Sequence, residues 1–217
     1  MYKLKALVNQ KKVIVVGPSP HLENKSMGSL IDSYDIVCRL NEVFPTDMEK
    51  DYGSRTDIAF WSIPNAGLKD FREMIKQERE KMSNIKLVVC PRHSLHVTPY
   101  HEGNFNPNNN IFKNYESLEI ENDFCHIGDE LNTEFEKSIG CHPSVGTLAL
   151  LSLLKCDFKK LYICGMSFYQ TKRRYNKSAE KVYTAANQGI TPAFCYMKSG
   201  HDTGKEIKYL QNPMLVK

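Results

Sequence analysis

Val13-Ile14-Val15-Val16-Gly17 is an unbroken run of β-branched residues closed by a glycine. Four apolar residues without polar alternation suit a strand buried on both faces, and such strands belong to parallel sheets. Outward from it, residues 35–39, 57–61, 85–90 and 161–165 carry the same signature, and 124–127 carries a weaker one. Helical patterns separate them at 27–32, 67–82, 129–137 and 145–155. The segment 67–82 is mostly charged, with Phe71, Ile75 and Met82 as sparse apolar positions, the pattern of a solvated surface helix. Strands alternating with helices predict an α/β fold: one doubly wound, Rossmann-like, mainly parallel sheet with helices on both faces. At 217 residues the chain is long enough for one good core and short for two. One domain over 1–217 is expected, with a lid-like segment at about 170–195 after the last strand.

In such sheets ligands sit outside the carboxyl ends of the strands. The residues expected near a ligand are therefore 17–21, 39–41, 62–65, 91–96 and 165–169. The polar run 104–110 reads as a loop.

Composition narrows the setting. The formal net charge is +4 and the basic residues are spread along the chain, which gives no argument for nucleic acid. It suits an anionic substrate and an anionic membrane surface equally. Nothing approaches the ~20 apolar residues of a spanning helix, and 1–17 holds no apolar core of the kind a signal peptide needs. The seven cysteines, at 38, 90, 125, 141, 156, 164 and 195, are odd in number, scattered, and form no C-x-x-C pair. That usage points to a reducing compartment and a cytoplasmic chain, at most peripheral to a membrane.

Several short motifs carry chemistry. Pro143-Ser144-Val145-Gly146-Thr147 precedes the apolar run 148–154, so Ser144 reads as a helix N-cap. Free N–H groups and the helix dipole there suit a phosphate, although ordinary helices are capped in the same way. Gly17-Pro18-Ser19-Pro20 is a turn where nucleotides bind in these folds, or simply a proline-stiffened strand end. It is neither G-x-G-x-x-G nor a P-loop. Asn41, after Arg39-Leu40, offers one acceptor and two donors, useful for a ribose or a base edge and also for a turn. Gly200-His201-Asp202, with Glu206 following, places a histidine suited to deprotonating a hydroxyl ahead of a helix that Asp202 is able to cap. Cys90, His93, His96 and His101 only loosely match zinc-ligand spacing, and no metal is expected. Phe168, Tyr169, Tyr175, Tyr183, Phe194 and Tyr196 interleave with Lys172, Arg173 and Arg174, which suits an anionic ligand, a lid or an oligomer contact.

The order of these motifs resembles the sialyltransferases, in particular the bacterial glycosyltransferase family 42, with an echo of the eukaryotic-type family 29. Ser144-Val145-Gly146, followed by Gly165-Met166-Ser167-Phe168-Tyr169-Gln170, is similar to the family 42 pattern of [ST]-S-G, helix, and a strand ending G-x-x-F-Y-Q. Tyr175 falls at a second family tyrosine and Gly200-His201 at the family G-H. Asp35-Ile36-Val37-Cys38-Arg39-Leu40-Asn41 resembles the strand that ends in a nucleotide-contacting Asn in both families. Asp51-Tyr52-Gly53-Ser54-Arg55-Thr56 resembles D-x-G-S-[KR]-T of family 29, and His201 with Glu206 matches its H-x-x-x-x-E. The likeness is dense near 13–61 and 143–210 and thin over 62–130.

The resemblance implies a GT-A-type domain that moves a CMP-activated acidic sugar, N-acetylneuraminate or a relative such as Kdo, to a glycan hydroxyl. Transfer would be inverting and metal-independent, with no cofactor. His201 would be the general base, and Tyr169 and Tyr175 would hydrogen-bond the departing phosphate. Asn41, Ser144, Val145 and Gly146 would hold the cytidine and its phosphate, with Gly17, Ser19, Gly165 and Phe168 completing the nucleotide site. Three positions depart from the pattern. The family G-N-[GS] is Gly17-Pro18-Ser19 here, and Pro18 has neither the side-chain amide nor an N–H, leaving Ser19 to offer a hydroxyl. The basic residue before the small-residue motif is His142, and Val13 stands where Cys156 would need its family 29 disulfide partner. Loss of the Asn leaves a second reading open, a degenerate CMP- or glycan-binding module.

Overall fold

The computed structural model describes residues 1–41, 44–64, 68–95, 110–168 and 202–212. Strands β1 (Lys12–Val16), β2 (Ile36–Leu40), β3 (Ile58–Phe60), β4 (Leu87–Cys90), β5 (Phe124–His126) and β6 (Lys160–Cys164) form one sheet, ordered β5-β4-β3-β2-β1-β6. Every neighbouring pair is parallel. The chain steps outward from β1 to β5, then returns to lay β6 on the other side of β1. The reversal between β1 and β6 is the topological switch point, where a crevice opens at the carboxyl ends of the strands.

The opening run is apolar throughout because both faces of β1 are covered. Val13 and Val15 pack with Leu4 and Val8 of α1 (Tyr2–Val8), Phe135 of α7 (Asp129–Ile139) and Leu148 of α8 (Val145–Leu154). Ile14 and Val16 face Ile31 of α2 (Gly28–Asp32) and Tyr52 of α3 (Glu49–Tyr52). Farther along that second face, Trp61 and Val88 meet Phe71 of α4 (Leu68–Gln77), Met82 of α5 (Arg79–Ser83) and Ile111 of α6 (Ile111–Glu116). Helix α8 is buried from Val145 through Leu153, which is why its sequence lacks a polar face. The charged stretch expected as one helix divides into α4 and α5 at Glu78, whose backbone (φ −114°, ψ 34°) leaves the helical region.

The Asp51–Thr56 motif is a structural clasp. Asp32 accepts from the Ser54 N–H (2.8 Å), the Ser54 hydroxyl (2.9 Å) and the Arg55 N–H (3.0 Å). A side chain on Gly53 (φ 75°) would meet the Asp32 carboxylate at 2.6 Å. Asp51 accepts from the N–H groups of Asn24 and Ser26, both at 2.8 Å, and these bonds hold its pKa below the usual carboxylate range. The clasp fixes the chain that leaves β1 against the chain that enters β3.

Candidate nucleotide site

The crevice is closed at its base by two glycines. The Gly17 N–H donates to Cys164 O (2.9 Å), and the Ser19 N–H donates to Gly165 O (2.8 Å). A Cβ on Gly17 would lie 2.4 Å from Gly165 O, and one on Gly165 (φ 61°) would lie 2.5 Å from Gly17 O. Only hydrogen side chains let the turn after β1 and the turn after β6 approach this closely.

Around that base stand Pro18, Ser19, Leu40, Asn41, Ser144, Val145, Gly146, Gly165, Met166, Ser167 and Phe168. Seven of the eight nucleotide-binding candidates thus line one cleft, while Gly17 sits behind its wall against Gly165. No acidic side chain lines it among the described residues. Asn41 (φ 52°) and Phe168 (φ 46°) hold left-handed backbone, as does Ile63 (φ 45°) after β3. For a β-branched or aromatic residue that conformation is strained, and such strain clusters at ligand sites.

Polar groups in the wall are left without acceptors. The Ser19 carbonyl is held by the Tyr52 hydroxyl (2.7 Å), but the Ser19 hydroxyl, on a residue 2% exposed, has no hydrogen-bond partner among the described residues. The Ser62 N–H donates to Asn41 Oδ1 (3.2 Å). A backbone N–H can only donate, so Asn41 must turn its oxygen there and keep its NH2 for another group. At the start of α8, the Ser144 hydroxyl caps the Thr147 N–H (3.2 Å).

Ser144 differs from the expectation of a free donor. Glu206, on α9 (Thr203–Leu210), is buried over the same helix end, and its Oε2 accepts from the Ser144 N–H (3.0 Å), the Ser144 hydroxyl (2.7 Å) and the Thr147 hydroxyl. The N–H groups of Val145 and Gly146 have no partner among the described residues, and they are the donors this helix end offers to a ligand. Glu206 Oε1 is buried without a partner among the described residues. Burial raises the Glu206 pKa, against the opposing effect of the Thr147 and Ser144 hydrogen bonds and the Arg92 charge. The native state therefore holds more protons than the unfolded chain above the ordinary Glu value of roughly 4.3. Stability should fall as pH rises from there through the folded pKa. Glu206→Gln is expected to flatten that slope in urea melts across pH. Glu206→Ala, which strands three buried donors, should cost about 2–3 kcal/mol.

Next to the cap, Arg92 Nη1 lies 2.6 Å from His142 Nε2 and donates to Pro143 O at 2.6 Å. Because a guanidinium only donates, His142 Nε2 is the bare nitrogen and Nδ1–H donates to Glu136 Oε1 (2.6 Å). The cation beside the small-residue motif is thus Arg92, supplied from the end of β4. Sequence reading placed 91–96 near a ligand without singling out Arg92, and it missed the docking role of Glu206.

The loose Cys/His set disperses. The Cys90 thiol donates to Ser62 O (3.6 Å), and burial pushes its pKa up to about 12. His93 faces Glu136 (3.4 Å) and Asp129 (3.6 Å). His96 and His101 lie outside the described residues, and no grouping of three or more potential metal ligands occurs within them. The catalytic candidates Tyr169, Tyr175 and His201, the basic residues 172–174 and the expected lid also lie outside. Their flanks are fixed: Phe168 is in the cleft wall, and Asp202 caps α9 by accepting the Lys205 N–H (3.0 Å).

The sheet order, the glycine-paired crevice and the capped helix make a switch-point cleft of the kind in which doubly wound α/β sheets hold their ligands. Two solved structures share the fold. A mammalian sialyltransferase matches with a TM-score of 0.54 at 18% identity, over 95% of this chain and 66% of that one. CstII from Campylobacter jejuni, in complex with the substrate analogue CMP-3FNeuAc, matches with a TM-score of 0.54 at 17% identity, over 93% and 76%. The family model for glycosyltransferase family 29 (sialyltransferase) matches residues 6–212, and the chain belongs to that family. The CMP-N-acetylneuraminate-beta-1,4-galactoside alpha-2,3-sialyltransferases of Rattus norvegicus and Homo sapiens are each 50% identical over 48 residues. That stretch is 22% of this chain and spans only 13% of the length of those relatives.

Proposed function

We propose that the chain transfers sialic acid, or a related acidic sugar such as Kdo, from its CMP donor to a glycan hydroxyl, with inversion and without a metal. One observation carries this reading: the cleft gathers donors without a partner among the described residues, the Val145 and Gly146 N–H groups and the Ser19 hydroxyl, beside the Asn41 side chain, with no acid among its described lining residues. Such a wall favours a ligand rich in acceptors and negative charge. In this mechanism the acceptor oxygen bonds to the anomeric carbon as its bond to the CMP phosphate breaks on the opposite face. His201 takes the acceptor proton, and Tyr169 and Tyr175 donate to the leaving phosphate, whose charge the helix end also meets. The described cysteines are free thiols, which supports a reducing, cytoplasmic setting.

Turnover of CMP-sialic acid or CMP-Kdo, with calorimetric binding of CMP, tests the proposal. CMP binding without turnover of either donor supports a binding module instead, the reading favoured by Pro18 in the cleft wall where the family Asn is absent. Neither binding nor turnover defeats both. Ser19→Ala is expected to weaken CMP about tenfold, the scale of one hydrogen bond to a charged group. Since that hydroxyl has no partner among the described residues, the melting temperature should not fall.

A further inference from the structure

Arg39, in β2, is 0% exposed. Its Nε donates to Arg55 O (2.9 Å), and its Nη2 donates to Tyr52 O (2.7 Å) and Gly53 O (2.9 Å). All three acceptors are neutral carbonyls. Nη1 is buried and has no acceptor among the described residues. Three nearby carboxylates are held by other groups: Asp32 by Ser54 and Arg55, Asp51 by Asn24 and Ser26, and Asp57 by Arg55 and Lys86. Among the described residues, no ion pair includes Arg39. A guanidinium taken out of water without a counter-ion is costly, and three carbonyl dipoles offset only part of that cost.

The position of this charge gives it a use. Arg39 pairs in register with Val16, the residue before the Gly17 turn, and is followed directly by Leu40 and Asn41 of the cleft wall. Tyr52 links it to the first turn, accepting from Arg39 through its carbonyl and donating through its hydroxyl to Ser19 O. Val16 pairs with Arg39 on one side and with Cys164 on the other, and the Arg39 charge opposes the burial that pushes the Cys164 thiol up to about 11. In a desolvated layer a full charge acts over longer distances than it would in water.

We propose that Arg39 is an electrostatic positioning residue beneath the cleft, a buried cation whose counter-ion is the phosphate of the bound nucleotide. This rests on the nucleotide reading above and deepens it. The cation favours the more highly charged phosphate, so its effect grows as CMP departs and negative charge accumulates on the leaving group. The buried guanidinium needs no reorganisation at that moment.

The readout is the phosphorus NMR titration of CMP bound to the wild-type chain, Arg39→Gln and Arg39→Lys, with melting temperatures measured alongside. In the wild-type complex the phosphate should titrate about one pH unit or more below the free value of roughly 6. Arg39→Gln should return it most of the way to the free value. Arg39→Lys keeps the charge but loses the fork, so the phosphate should stay depressed even though the melting temperature drops. A purely architectural Arg39 predicts a different pattern, with stability lost and the bound phosphate unchanged in Arg39→Gln. That result overturns the proposal, as does a phosphate titrating at its free value in the wild type or in Arg39→Lys. Should Arg39→Gln not fold, the wild-type and Lys arms decide. Failure of the wild type to bind CMP defeats the nucleotide reading itself and this proposal with it, whereas binding with an unshifted phosphate defeats only the role of Arg39.

Discussion

Gly17→Ala is expected to lower CMP affinity by about 100-fold or more and to destabilise the chain by about 3 kcal/mol, the upper range for overpacking. The added methyl would lie 2.4 Å from Gly165 O and 2.9 Å from Gly165 C. Those atoms are backbone, pinned by the Ser19 N–H to Gly165 O bond at 2.8 Å and by the register of β1 on β6. Relief requires the two turns to part, and parting them moves Ser19 away from Gly165 and Phe168 on the opposite wall. Gly146→Ala is the contrast. There the new methyl meets the Met166 Cε at 2.7 Å and the Leu40 Cδ1 at 3.3 Å, side-chain ends that are able to turn aside. Urea unfolding and calorimetry on both variants should show a much larger loss for Gly17.

His201→Ala is expected to reduce kcat by about 10²–10⁴-fold, the usual share of a general base. The reason for expecting a reaction-specific loss lies in the residues that follow. Asp202 caps α9 through Lys205, and Glu206 of the same helix is bonded to Ser144 and Thr147 at the N-terminus of α8. Residue 201 is therefore one peptide from a helix anchored beside the cleft, and none of those anchors uses its side chain. The wild-type kcat/KM should rise with pH through a histidine pKa near ~6.5, and the variant should lack that limb while melting at the same temperature. Tyr169→Phe and Tyr175→Phe should slow transfer and keep the limb.

The centre of the sheet was readable because β1 to β4 are buried on both faces, which turns 13–16 into a continuous β-branched run; the edge strand β6 exposes Tyr162 and Ile163. Short helices were less readable. Helices α1, α3 and α6 span only seven, four and six residues, too short for a helical periodicity to show. The start of α6 did carry a signal: Asn110, at the end of a run taken as loop, accepts from the N–H groups of Phe112 (3.0 Å) and Lys113 (3.1 Å) as an N-cap. At the site, Ser19, Asn41 and the α8 cap were each legible from local chemistry, and the fold brings all three to one cleft. The occupant of the Ser144 N–H was beyond reach, because Glu206 lies 62 residues away. Arg39 was passed over for a related reason: its partners are main-chain carbonyls, which have no sequence signature.

The pairing of Gly17 with Gly165 also bears on how the molecule is made. Its two halves are separated by four intervening strands, and β6 can dock on β1 only after all of them have been synthesised. A pairing this distant in sequence adds to contact order and belongs among the slow steps of folding. Until it forms, a nascent chain has the first turn but no opposite wall, so nucleotide capture would mark completion of the sheet and not its early growth. Ligand added during refolding should leave the early collapse unchanged and pull only on the last phase.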